Sequence, residues 1–207
     1  MLLKIKKGIN SKKLYLYRNI KLIMLTINFS EFPELETERL KLRRADVNDI
    51  NELFALRSDP KVMEYIPKPV ATSIEEASEH LKAIDEKISS NEIINWAITL
   101  KDDAKMIGTI GYYHIKPEHY RAEIGYMLLP DFQGKGYVTE AIAEVVNYGF
   151  ATMGLHSIEA LIDPANLGSA KVLEKCDFMK EGHFKESEFY NGEFIDTVIY
   201  SKVNGRN

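Results

Sequence analysis

The 207-residue chain has little of the chemistry that ties a fold together covalently or through metal. Its one cysteine, Cys176, excludes an internal disulfide and a cysteine-based metal cluster, and a reducing compartment such as the cytoplasm fits it best. The five histidines, His80, His114, His119, His156 and His183, show no ligand spacing, so no metal is expected. No stretch approaches the roughly 20 consecutive apolar residues of a membrane span, so no membrane is expected either. Acidic side chains are missing from residues 1–23, which hold seven basic ones (Lys4, Lys6, Lys7, Lys12, Lys13, Arg18 and Lys21). This basic N-terminal extension reads as sequence ahead of a true start at Met24, as an unstructured arm, or as a targeting peptide. Arg18, Asn19 and Lys21 break Leu14 to Ile23, so the apolar core of an export signal is lacking.

What remains is acidic. Beyond residue 23 there are 20 Lys and Arg against 31 Asp and Glu, a formal charge of −11. Such a body is a poor general partner for nucleic acid and suits a cationic amine. With 45% hydrophobic and 28% charged residues, the composition predicts one α/β or α+β domain.

Arg39 to Arg44 alternates like a half-buried strand. Asp46 to Ser58 reads as a helix capped by Asp46, and 60–69 as turn-rich. Ser73 and Glu76 form a capping-box pattern before a helix with the stripe Ile74, Ala77, Leu81, Ile84 and Ile88. Strands are predicted at Ile93 to Leu100, Met106 to Ile115 and Ala122 to Leu129, the last central because it is apolar on both faces. A helix from about Val138 to Met153, a strand from Ser157 to Asp163 and a helix from Ser169 to Cys176 follow. A hairpin about Asn191-Gly192 ends the chain. Trp96, Tyr112 and Tyr113 are read as core, and Cys176 with them.

The chemistry concentrates where the central strand runs through Gln133-Gly-Lys-Gly-Tyr-Val-Thr139 into a helix. Gly134 and Gly136 let backbone approach an anion, the first helical N–H groups lack partners, and Lys135 adds charge, so this turn is read as a phosphate seat. Its spacing is neither that of a P-loop nor that of the dinucleotide fingerprint.

Over residues 34 to 203 the chain resembles the GNAT superfamily of N-acetyltransferases, within it the ribosomal-protein N-terminal acetyltransferases. Leu35-Glu-Thr-Glu-Arg-Leu-Lys-Leu-Arg43, Ala122-Glu-Ile-Gly-Tyr126, the Gln133 loop, and Asp163-Pro-Ala-Asn-Leu-Gly-Ser169 leading to Glu174-Lys-Cys-Asp-Phe178 carry the resemblance. Val138 and Asp177 depart from it, standing where the family has a tiny residue and a helix-ending glycine; Asp tolerates the left-handed conformation that position needs.

The resemblance implies an α/β (α+β) GNAT fold, with a mixed, mostly antiparallel central sheet splayed at an acetyl-CoA cleft and helices on both faces. It implies that residues 24–207 form the acetyltransferase domain. Acetyl-CoA would lie with its pantetheine along Met127 and Leu128 and its pyrophosphate on Gln133, Gly134, Lys135, Gly136, Tyr137, Val138 and Thr139. Asn166 and Ser169 would reach the pantetheine arm, although Asn166 also reads as a turn or N-cap residue. Glu123 matches the general base that takes a proton from the ammonium, and also reads as a strand-edge carboxylate pairing with Arg121. A strand N–H near Met127 or Leu128 would receive the oxyanion. The tyrosine that relatives use as general acid is Leu173 here. His119 and Tyr120, before Glu123, are candidates for lining the acceptor site.

The acceptor is expected to be a protein N-terminal α-amine, attacked directly, with a small amine (polyamine, aminoglycoside or amino-acid-like) as the alternative. A CoA-binding module without turnover is the third reading. A monomer or a homodimer is compatible with the sequence, the terminal hairpin offering an edge.

Overall fold

Leu40 and Leu42 are fully buried and alternate with half-exposed Lys41 and Arg43, which makes this segment a strand covered on one side. The computed structural model in which this is seen describes residues 25–205; the basic leader lies outside the described residues. The strands are β1 (Leu35–Glu36), β2 (Leu40–Arg43), β3 (Ile94–Leu100), β4 (Asp103–Lys116), β5 (Arg121–Leu128), β6 (Ser157–Ile162), β7 (Met179–Tyr190) and β8 (Glu193–Val203). They form one sheet in the order β1-β2-β3-β4-β5-β6-β8-β7, antiparallel except for the parallel β5–β6 pair.

The helices are α1 (Ile50–Ser58), α2 (Pro60–Met63), α3 (Ile74–Ser89), α4 (Tyr137–Ala151) and α5 (Leu167–Lys175). Asp46 caps a 3₁₀ turn before α1, its side chain accepting from Asn48 N–H while Asp49 answers back to Asp46 N–H. The segment read as turn-rich holds α2, because Pro60 is pre-set for the first helical position and the Asp59 carboxylate caps it through Lys61 N–H. Ser73 does cap α3, its hydroxyl accepting from Glu76 N–H, but the Glu76 carboxylate accepts from Thr72 rather than from Ser73 N–H. Ile74 leaves the predicted stripe and is exposed.

β3 shows how the sheet divides its core: Trp96 and Ile98 enter the main cluster with α4, whereas Ala97 faces Leu53, Leu56 and Ala77 of α1 and α3. Trp96 is fully buried, donates from Nε1 to Pro33 C=O (2.7 Å) and packs edge-on against Phe32 and Tyr148. Tyr112 donates its hydroxyl to Val145 C=O at 2.7 Å across α4. That approach requires Gly149, whose Cβ would collide with the Tyr112 hydroxyl. Glycine in a helix costs roughly 1 kcal/mol of propensity, and here the cost permits a buried aromatic to satisfy its polar end. Asp177 ends α5 at φ +61°, the left-handed conformation anticipated for it. Among the described residues no helix is long and apolar enough to cross a membrane.

Candidate active site

β5 and β6 run together only briefly. Arg121, Ala122 and Glu123 pair with Ser157, Ile158 and Glu159; after that β5 stays with β4 through Leu128 and Gly108, while β6 stays with β8 through Ile162 and Val198. A wedge therefore opens in the middle of the sheet, beginning just after Glu123. Antiparallel ladders alternate the direction of their backbone groups. Leu129 N–H donates to Ile107 C=O (2.9 Å), so Met127 also turns its N–H to β4, and Tyr126 and Leu128 turn theirs into the wedge. The backbone donors available there are accordingly those of Tyr126 and Leu128, not that of Met127. The Met127 side chain packs on the α1–α3 side.

The glycine turn stands at the wide end of this wedge. Gly134 and Gly136 have φ of +73° and +81°, conformations that other residues enter at a cost of roughly 1–2 kcal/mol. No side chain caps the start of α4, and the space where a Gly134 Cβ would project is open. The first N–H groups of α4 thus meet no competing cap, which fits a phosphate group. Gln133 does not reach toward that space; its amide donates to Leu128 C=O at 2.9 Å and latches the turn to the end of β5. The Lys135 ammonium lies over the Phe132 ring, and its carbonyl accepts from Arg39. Tyr137 stacks beneath the Arg39 guanidinium, and Val138 packs against the core. The Thr139 carbonyl faces the Cys176 thiol.

Across the wedge, Asn166 caps α5 by accepting from Ser169 N–H at 3.0 Å, so its oxygen is used locally while its amide N–H groups remain. Ser169 lies beside the Tyr126 hydroxyl, which burial pushes up to about 12. Leu173 is fully buried and Cys176 buried, both as core.

Glu123 is not paired with Arg121, which instead binds Glu159 at 2.6 Å. Its partner is His114, whose Nδ1 stands 2.7 Å from Oε2. His114 occupies an irregularity in the β4–β5 register at φ +46°, and such bulges re-aim side chains. Its role was hidden in the sequence because strict alternation along β4 does not predict it.

Glu123 and His114 open into a groove of about 280 Å³. Its walls are the 64–68 segment after α2, the end of β6 and the β7–β8 hairpin. Glu64, Asp163, Glu188 and Asp196 line it together with Glu123, against the Lys68 ammonium and the His114 ring. Neither His119 nor Tyr120 lines this groove; Tyr120 sits just before β5, where its carbonyl accepts from His156 N–H. The hairpin takes the place expected for them, a long-range closure that no local motif announces. Among the described residues, no group of three or more candidate ligands could hold a metal ion.

Comparison with known proteins agrees with this fold. The Acetyltransferase (GNAT) domain family matches residues 39–179. The uncharacterized N-acetyltransferase YoaA of Bacillus subtilis is 37% identical over 175 residues, covering 84% of this chain and 99% of its own. Spermidine N(1)-acetyltransferase of Vibrio cholerae is 26% identical over 173 residues, covering 81% of this chain and 97% of its own. Among solved structures, the ribosomal L7/L12 alpha-N-protein acetyltransferase RimL in complex with coenzyme A has a TM-score of 0.74 at 24% identity, covering 83% of this chain and 98% of that one, a likeness of fold.

Proposed function

Because the chain belongs to the GNAT acetyltransferase family, we propose that it acetylates a primary amine held at Glu123, with acetyl-CoA as donor. The observation that carries this reading is Glu123 itself, fixed by His114 at the point where β5 and β6 part. Residues 24–207 would be the catalytic domain of a cytoplasmic enzyme, preceded by the basic extension.

Acetyl-CoA supplies an acyl group on a good leaving group. The N–H groups from Gly134 to Thr139 at the start of α4 would hold its phosphates, and Leu128, Asn166 and Ser169 its pantetheine arm. An amine is mostly ammonium at neutral pH and attacks only after losing a proton. Glu123, one-fifth exposed at the groove's floor, takes that proton, and the far more open His114 passes it to solvent. The Tyr126 and Leu128 backbone N–H groups, already aimed into the wedge, stabilise the charge developing on the carbonyl oxygen without reorganising. Transfer is direct, because Cys176 is buried against Thr139 and its thiol is pushed up by burial, away from the nucleophilic thiolate form.

Resemblance to the ribosomal-protein branch supports a protein α-amine as acceptor. The groove carboxylates favour a second reading, a small amine with two or more positive charges, the kind of acceptor named for the Vibrio relative. The test is thiol release from acetyl-CoA, with mass detection of products, across peptides with Ser, Ala, Met or Thr N-termini, polyamines and aminoglycosides. Acetylated peptide α-amines would establish the first acceptor class and acetylated polyamines the second. An absence of product across the panel would overturn both.

A further inference from the structure

Lys68 stands between two prolines, Pro67 and Pro69, on the segment that walls the groove beside Glu123. Its N–H donates to Ile66 C=O at 2.7 Å, closing a three-residue turn about Pro67, and Pro69 keeps the lysine out of helical backbone. The far side of the segment is tied down as well: Ala71 N–H donates to Arg57 C=O at 2.9 Å, and the Arg57 guanidinium to Pro69 C=O at 3.4 Å. A fixed backbone thus carries a long, flexible and exposed side chain. Lys68 supplies the only ammonium among the residues lining the groove, where Glu64, Glu123, Asp163, Glu188 and Asp196 supply carboxylates, yet among the described residues it forms no ion pair. An exposed pair would contribute only about 0–1 kcal/mol, too little to withhold the amine from a thioester bound at the mouth of the wedge.

We propose that Lys68 is an acceptor within the chain: its ε-amine takes the acetyl group from acetyl-CoA at Glu123, and the loss of its charge sharpens the groove for amines with several positive charges. The ammonium gives one proton to Glu123, the freed nitrogen lone pair forms the bond to the thioester carbon, and the carbon–sulfur bonding pair leaves on the CoA sulfur. Of the two protons that nitrogen sheds, one ends on the thiolate and the other in solvent. The groove then loses its ammonium and keeps its carboxylates, so a polycationic acceptor is drawn more strongly. The inference rests on the acetyl-CoA reading of the wedge and concerns regulation of the same site.

The experiment incubates the full chain with acetyl-CoA and no added amine, and follows acetylation of each lysine by peptide mass mapping at several protein concentrations. Lys82 on α3 and Lys171 on α5, exposed and outside the groove, report the chemical background. Lys68 is expected to react at least about tenfold faster than either, through proximity to the bound thioester, at a rate independent of protein concentration. Glu123→Gln should bring it down to the background while CoA still binds. Wild type treated with acetyl-CoA, and untreated Lys68→Gln, should both show a KM for a multiply charged acceptor several-fold below that of untreated wild type. Lys68→Arg, charged but unable to take the acetyl group in this way, should keep its KM through the treatment. Labelling of Lys68 no faster than of Lys82, labelling undiminished in Glu123→Gln, a rate that rises with protein concentration, or a KM unmoved by treatment would each overturn the inference, as would reaction confined to the lysines of residues 1–23. Protein that acetylates no added amine either would instead overturn the acetyl-CoA reading beneath it.

Discussion

The Arg39 guanidinium stands 2.7 Å from the Glu140 carboxylate across 101 residues of sequence. Glu140 also accepts from Arg39 N–H (2.8 Å) and from the Thr37 hydroxyl, and Arg39 donates onward to Lys135 C=O (3.0 Å). The start of β2 is thereby pinned to the first turn of α4, with the glycine turn held between them. Burial alone would raise the Glu140 carboxyl, but the Thr37 hydroxyl, the Arg39 amide and the Arg39 guanidinium outweigh it and hold it below the usual carboxylate range. An acid in the first turn also suits the helix dipole.

Glu140→Gln should therefore loosen the phosphate seat without touching the groove. The expected result is roughly tenfold weaker CoA binding, about 1.4 kcal/mol, read by calorimetry, with KM for the amine unchanged. Unchanged CoA affinity would show that the clamp does not shape the turn.

The Glu123–His114 pair predicts two different losses. Glu123→Gln keeps the shape and removes the proton acceptor, so kcat should fall about 10²- to 10⁴-fold while CoA affinity is retained. His114→Asn suits the left-handed backbone at that position, since Asn tolerates it, and removes the ring. Its kcat should fall more mildly, with acetyl-CoA KM unchanged. If both variants kept wild-type rates, Glu123 would be a structural carboxylate only.

The local frame of this candidate site was legible before folding, because a central strand, a glycine turn and an uncapped helix lie on one continuous run from Glu123 to Thr139 and are encoded locally. The parts that were not legible are those set by long-range register. Gln133 reads as a phosphate ligand until Leu128 C=O is found 2.9 Å from its amide. Glu123 reads as a partner of Arg121, two positions along the same face, until Glu159 is seen to occupy that arginine across the parallel pair. His114 reaches Glu123 only through the irregular β4 backbone, and Arg39 meets Glu140 only once β2 packs beside α4. The helix and strand boundaries failed mainly at short elements: β1 has two residues and α2 four, too few for a periodic pattern to register.

The charge of the groove predicts a salt dependence. Glu64, Asp163, Glu188 and Asp196 surround the approach to Glu123, and Asp196 is held below the usual carboxylate range by the Glu186 amide and by His183. For an acceptor with several positive charges, kcat/KM should fall several-fold as ionic strength rises from about 0.01 to 0.15 M, where the screening length shortens from about 30 to about 8 Å. Glu188→Gln should raise the KM of such an acceptor and leave that of a singly charged amine nearly unchanged. Equal salt slopes for both acceptors would mean that the groove does not read charge.

His80 on α3 makes stability depend on pH. Burial, with the nearby positive charges of Arg57 and Lys87, lowers it to about 4 in the folded protein, against about 6.5 for an ordinary histidine. Between these values the unfolded chain binds a proton that the folded chain refuses, so stability rises with pH across the window. The contribution is fully favourable to the fold above pH ~6.5 and is lost progressively as pH falls toward ~4. A domain of this size shifts its Tm by roughly 2–4 °C per kcal/mol, so the effect is measurable by calorimetric melting. His80→Gln removes the titration, and the difference in Tm between variant and wild type should grow more favourable to the variant from pH 6.5 to 4.5. A difference that stays constant over that range would show that His80 accepts its proton as readily in the folded chain as in the unfolded one.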